Sequence, residues 1–130
     1  MNNRYLYKAK RIDNGEWVEG DLVHSVYKIN DTCVGKYGSD VGIHQVCENT
    51  ICQCTGLKDK NGKLIWENDV VKCQDTIGIV NWNKTHLAYT ILKKNKDGNM
   101  QYYYMDEELG KDIEVIGNTF DNPELLEVEE

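Results

Sequence analysis

Asn14-Gly15-Glu16-Trp17-Val18-Glu19-Gly20-Asp21-Leu22-Val23 is echoed further along the chain by Asn61-Gly62-Lys63-Leu64-Ile65-Trp66-Glu67-Asn68-Asp69-Val70-Val71. Each copy runs Asn-Gly, a short apolar stretch with a Trp, Glu-(Gly/Asn)-Asp, then a second apolar stretch. The second copy has one extra residue between the Asn-Gly and the Glu. Asn-Gly is the strongest short hairpin signal, because both residues tolerate φ > 0. Glu-Gly-Asp or Glu-Asn-Asp is then expected to reverse the chain again before a Val/Leu strand. Trp17 and Trp66 are expected to be core anchors, each an inward aromatic that pins the register of its hairpin. The near-repeat specifies a compact β architecture and carries no catalytic group.

Working outward, strands follow at close spacing. Tyr5-Leu6-Tyr7-Lys8-Ala9-Lys10-Arg11-Ile12 alternates, with Tyr5, Tyr7 and Ala9 on one face and Lys8 and Lys10 on the other. That period of two argues a half-buried strand. Glu16 to Glu19 reads as a short return strand and Leu22 to Ile29 as the next, with a loop from Tyr37 to Gly42. Thr50 to Cys54 is a strand leading into a turn region from Gly56 to Gly62. Val70 to Cys73, Ile77 to Trp82 and His86 to Leu92 then have the spacing of an antiparallel meander. Gly78 within a strand pattern predicts a bulge or bend. Tyr102-Tyr103-Tyr104-Met105 and Asp112 to Asn118 follow, and Pro123 opens a final helical turn with Leu125 and Leu126 packing back.

The chain has 130 residues, enough for one domain with a real hydrophobic core. No apolar run reaches the roughly 18 residues of a membrane span. Met1 to Lys8 lacks the charged-then-apolar order of a signal peptide, so a cytoplasmic protein is expected. The formal charge of −7 is uneven: residues 106–130 hold ten acids against Lys111 alone, whereas residues 1–105 hold fourteen bases against twelve acids. A near-neutral body with basic patches is compatible with a phosphate backbone as well as with a protein partner.

Three segments, in order, resemble the YopX family of phage and prophage proteins. They are Lys8 to Asp21, then Thr55-Gly56-Leu57-Lys58-Asp59-Lys60-Asn61-Gly62-Lys63 continuing to Glu67-Asn68-Asp69-Val70-Val71, and Glu114-Val115-Ile116-Gly117-Asn118-Thr119-Phe120-Asp121-Asn122-Pro123-Glu124-Leu125-Leu126. The resemblance implies a β-rich fold with an SH3-like small barrel and a phage or prophage origin, and no particular activity. The chain departs from the pattern at Asn68, where Gly is usual, and at Cys54, where an aromatic is usual. Asn tolerates φ > 0 nearly as well as Gly, so the first change should leave its turn intact. The expected fold is all-β: a small SH3-like barrel over about residues 46–120 with packed N-terminal β-hairpins. Residues 1–126 form a single domain, and 127–130 an acidic tail.

Several constellations bear on function. The five cysteines (Cys33, Cys47, Cys52, Cys54, Cys73) are odd in number and lack paired-knuckle spacing, and without an export signal reduced thiols are expected. Cys52 and Cys54, two apart on a strand, point to one face and are expected to pack as small hydrophobes, so neither metal nor cofactor is expected. Asp21 and Asp69 occupy the same place in the two repeats and could serve acid–base chemistry if brought together. Each could equally accept hydrogen bonds from its own turn, the simpler explanation of a duplicated turn. The histidines (His24, His44, His86) are isolated, and Ser25 and Ser39 have no paired His and acid nearby. No catalytic residue is therefore assigned, and the chain is expected to act by binding.

Tyr102, Tyr103 and Tyr104 with Lys93, Lys94 and Lys96 form the candidate binding surface, since aromatics dominate interface energetics. A host or phage protein is the expected partner. Nucleic acid is the alternative, met by the basic, aromatic N-terminal strand (Arg4, Tyr5, Tyr7, Lys8, Lys10, Arg11) and the Lys84, Lys93, Lys94 and Lys96 cluster, with bases stacking on the tyrosines while lysines track phosphates. No membrane partner is expected, and self-association is left open.

Overall fold

A computed structural model of the protein describes residues 6–24, 32–35, 43–73, 76–84, 87–94, 100–105 and 107–126. The readings that fall on Arg4, Tyr5, Ile29, the Tyr37 to Gly42 loop, His86, Lys96 and the 127–130 tail lie outside the described residues. The fold is all-β, in two antiparallel sheets with little helix. The chain divides into two compact units, Met1–Cys54 and Thr55–Glu130, and the division falls inside one strand.

In the first unit β1 (Tyr7–Lys10), β2 (Trp17–His24), β3 (Thr32–Gly35), β4 (Ile43–Gln45) and the start of β5 (Cys52–Lys58) take the order β4-β3-β2-β1-β5. Ala9 pairs with Val18, and both are buried with Val34 and Val46, against which Leu22 and Ile51 pack. The alternation expected of the first strand is present: Ala9 points inward, and Lys8 and Lys10 lie on the opposite face. Thr50 ends a 3-10 turn, Glu48–Thr50, and its hydroxyl accepts from the Lys10 N–H at 2.9 Å while donating to the Cys47 carbonyl at 2.6 Å.

The first copy of the near-repeat departs from expectation in two ways. Glu19-Gly20-Asp21 does not reverse the chain; it runs through the middle of β2 as one continuous eight-residue strand. Gly20 has φ +155°, and a Cβ there would sit 2.4 Å from the Gly35 carbonyl oxygen, so glycine serves close approach of two strand backbones rather than a turn. Trp17, the second correction, is half-buried rather than a core anchor. It pairs with Lys10 in the register and so shares the lysine face, opposite Ala9 and Val18. The Lys8 and Lys10 ammonium groups stand 4.8 and 5.5 Å from its ring centroid, a cation–π arrangement.

In the second unit the end of β5 leads through a turn to β6 (Leu64–Trp66). Then come β7 (Asp69–Cys73), β8 (Thr76–Asn83), β9 (Ala88–Lys94), β10 (Met100–Tyr104), a single helical turn α1 (Glu107–Gly110) and β11 (Glu114–Asn118). The expected meander is present as a sheet of order β10-β9-β8-β7-β11. Ile65, Val71, Val80, Ile91 and Ile113 form its core, with Leu57, Tyr89, Met105 and Leu109 packed around them. Trp66, 4% exposed, is a buried anchor as expected.

β10 and β11 are the two ends of that sheet, and the pairings among the described residues close no barrel. The expected SH3-like barrel is met at the level of an all-β antiparallel meander. At Gly78, where a bulge or bend was expected, the pairing with β7 shows no register shift, running in step from Val70↔Ile79 to Cys73↔Thr76. A Cβ at Gly78 would meet Ile91 Cγ2 at 2.5 Å, so packing explains this glycine. The register shift falls instead in β11, between Val115 and Gly117. Pro123–Leu126 forms the final turn as a 3-10 helix, with Leu126 exposed rather than packed back.

Candidate functional site

Alternation along β10 decides what the tyrosines present. Its register with β9 is Met100↔Lys94, Gln101↔Lys93, Tyr102↔Leu92, Tyr103↔Ile91 and Tyr104↔Thr90. Directly opposed residues share a sheet face, so Tyr102 and Tyr104 stand with Leu92 and with Ile79, the next residue in the row. Their rings meet edge to face, centroids 6.1 Å apart at 87°. Tyr103 points to the other face with Gln101, to whose Oε1 its hydroxyl donates at 3.3 Å. All five residues of β10 are exposed, Tyr102, Tyr103 and Tyr104 at 45, 44 and 54%. The structure thus brings two of the three tyrosines together and turns the third away.

The lysines do not gather into one described patch. Lys93 is half-buried on the Tyr103 face, Lys94 takes a register position on the Tyr102/Tyr104 face, and Lys96 lies outside the described residues. On its own face Tyr103 borders a cleft of about 260 Å³ with Val71, Cys73, Thr76, Ile91 and Leu109. On the opposite face the apolar side chains of Ile77 (39%) and Met100 (52%) are also exposed. An exposed aromatic strand at the end of a sheet supplies contact area, with no charged side chain of its own.

Asp21 and Asp69, matched in sequence, have unlike surroundings. Asp21 is exposed in β2, opposite Gly35. Asp69 is buried at 2% exposure and accepts the Trp66 N–H at 2.8 Å, closing its own turn. Asp59, to which sequence reasoning assigned no role, accepts three backbone hydrogen bonds. Its Oδ1 accepts the N–H groups of Asn61 and Lys63, both at 2.9 Å, and its Oδ2 accepts that of Val115 at 2.9 Å. Burial pushes its carboxyl up, but the N–H donors of Val115, Lys63 and Asn61, with the Lys63 charge, outweigh it and hold the group below the ordinary carboxylate range. Asp59 fastens a turn to a distant strand. An Asp two residues before Asn-Gly was the available signal, because Asp side chains commonly accept from the backbone two residues on.

Cys52 and Cys54 are buried on one face of β5, as their spacing implied, and the Cys52 thiol lies 3.3 Å from the Thr50 carbonyl oxygen. The five cysteines form no disulfide. Among the described residues no cluster of His, Cys, Asp and Glu has a metal-binding arrangement, and no helix is long and apolar enough to cross a membrane.

A profile of the YopX protein family matches residues 6–127, almost the whole described chain. The chain belongs to the YopX family. Among solved structures it is similar to the crystal structure of protein EF1440 from Enterococcus faecalis. The two are 24% identical over 93% of this chain and 96% of that one, with a TM-score of 0.46. No curated protein matches it.

Proposed function

We propose that this YopX protein is an accessory protein of a phage or prophage, working in the bacterial cytoplasm by binding another protein rather than by catalysis. The reading rests on β10, the terminal strand of its sheet, whose five uncharged residues are all exposed and whose Tyr102 and Tyr104 form an edge-to-face pair. Tyr rings give large contact area at low entropic cost and concentrate in interface hot spots. An SH3-like assignment for the second unit is supported by its strand order, a four-strand meander whose fifth strand returns beside the first, and by the helical turn before that last strand. Tagged protein used as bait in a bacterial host extract, with and without nuclease, tests the reading. A partner band that survives nuclease and is lost in the Tyr102→Ser/Tyr104→Ser variant is expected. A band that vanishes with nuclease, or one indifferent to both substitutions, overturns it.

A nucleic-acid reading is favoured by one separate observation, the indole of Trp17 flanked by Lys8 and Lys10. An aromatic face between ammonium groups is the pairing that single strands use. It predicts oligonucleotide binding that falls steeply with salt and is lost in Trp17→Ala.

A further inference from the structure

The two Asn-Gly turns carry the same reactive pair of residues, and we propose that Asn14 is a site of spontaneous self-modification, deamidation through a cyclic imide, from which the fold protects Asn61. The reaction consumes only water. The Gly15 nitrogen attacks Cγ of Asn14 and forms an N–C bond, and its proton is matched by loss of the side-chain NH₂ as ammonia. Water then opens the imide at one of its two carbonyls, giving aspartate or isoaspartate. Glycine in the following position suits this chemistry, because no Cβ crowds the attacking nitrogen.

Solvent access does not separate the two sites. Asn14 and Asn61 are both exposed, and a Cβ built on Gly15 or Gly62 would meet nothing within 4 Å. Each glycine N–H is also held alike, donating at 3.0 Å to a backbone carbonyl, that of Arg11 for Gly15 and that of Asp59 for Gly62. An N–H so committed must be released before its nitrogen can give up the proton and attack. The rate at each site therefore follows the local opening of its turn, as amide exchange does.

The turns differ in what must break for that opening. Beside Gly15 the fastening lies at the surface: Arg11 Nε and Nη2 donate to the Asp13 carboxylate at 3.0 and 2.7 Å. Exposed pairs of this kind hold little. Around Gly62 the buried Asp59 carboxylate takes the N–H of Asn61 and that of Lys63, one on each side of the glycine, and that of Val115 on its other oxygen. The Asp59 N–H also donates to the Lys63 carbonyl at 2.8 Å. Releasing Gly62 disturbs that whole set, and hydrogen bonds to a buried charged acceptor are among the costliest to break.

The side chains differ in the same direction. Asn14 Oδ1 accepts the Glu16 N–H at 2.9 Å, spanning Gly15 and placing a donor on the oxygen where charge develops as the ring closes. Asn61 Nδ2 donates instead to Glu114 Oε2 on β11, at 3.4 Å. Conversion of Asn14 adds a negative charge beside Asp13 and Glu16. As isoaspartate it also adds one main-chain carbon between the paired residues Lys10 and Trp17.

The test is peptide mapping by mass spectrometry of the full-length protein, incubated folded and in urea at neutral and mildly alkaline pH. In urea both sites should convert at similar rates, since both are Asn-Gly. In the folded protein Asn14 should convert at least about tenfold faster than Asn61, and faster as pH rises. Asp59→Asn should raise the Asn61 rate relative to that of Asn14; if that variant does not fold, the folded and urea rates of the native chain decide alone. Equal conversion of the two sites in the folded protein, conversion of neither while both convert in urea, or an Asn61 rate indifferent to a folded Asp59→Asn variant overturns the proposal.

Discussion

The two copies of the near-repeat share a sequence pattern and reach different structures. In the second copy Asn68 has φ +71°, its N–H bonds the Val80 carbonyl at 2.7 Å, and its own carbonyl accepts the Thr119 N–H at 3.0 Å, so the chain turns between β6 and β7. In the first copy the matching Gly20 lies in an extended pairing with Tyr7 and the chain does not turn. The Asn-Gly turns differ too. Gly15 and Gly62 both have positive φ, 73° and 80°. The first turn is fastened by an exposed Arg11–Asp13 ion pair at 2.7 Å, the second by buried Asp59. A local pattern sets what a turn permits; contacts from elsewhere decide whether it is used and how firmly it is held.

The largest expected difference between the copies is at their tryptophans. Trp66→Ala empties a buried site and should cost ~3–5 kcal/mol, a large share of the ~5–15 that holds a domain. Trp17→Ala removes a half-buried ring and two cation–π contacts of ~0.5–1 kcal/mol each, so a loss of about 1–2 is expected. Urea midpoints of the two variants check this. Equal losses would mean that the two hairpins are energetically equivalent despite the difference in burial.

Next in size is the fastening of the turns. Asp59→Asn puts an amide NH₂ against one of the three backbone donors that the carboxylate accepts, and should cost about 1.5–3 kcal/mol at neutral pH. The carboxyl is held below its unfolded value of about 3.9, so its contribution is full above that pH and is lost as pH falls through the lower folded value. The gap between the native protein and Asp59→Asn should therefore narrow only below about pH 4. Asp13 is also lowered, first by its hydrogen bond to the Arg11 guanidinium, but it is fully exposed and Asp13→Asn should move the urea midpoint little. A gap for Asp59→Asn that is constant from neutral to acid pH would remove the charge from the explanation.

What the sequence made legible follows the same division. The alternation of Lys8, Ala9 and Lys10, the meander of β7 to β9, the inward Cys52 and Cys54 and the tyrosine run are all properties of neighbours along the chain. The path through Glu19-Gly20-Asp21 depends on Gly35, and the role of Asp59 depends on Val115, fifty-six residues away. At the candidate site, period two already separates Tyr103 from Tyr102 and Tyr104. That β10 is the end of its sheet depends on where β11 pairs, and β11 goes to β7 at the other side. Non-local pairing is the part a linear pattern does not encode.

A finer comparison is at Asn68, and it separates conformation from contact. A left-handed φ costs an ordinary L-residue roughly 1–2 kcal/mol, Asn less, and Gly nothing. Asn68→Ala should therefore destabilise by about 1 kcal/mol or more. Asn68→Gly relieves backbone strain in the folded state but loosens the unfolded chain, and these oppose one another, so a net change within about 0.5 kcal/mol is expected. The backbone bonds to Val80 and Thr119 survive both substitutions, since they use main-chain atoms. Paired urea melts of the two variants give the answer. If Gly proved as costly as Ala, the Asn68 side chain rather than its φ would be what the second copy requires, and the turn that distinguishes it from the first would rest on a side-chain contact.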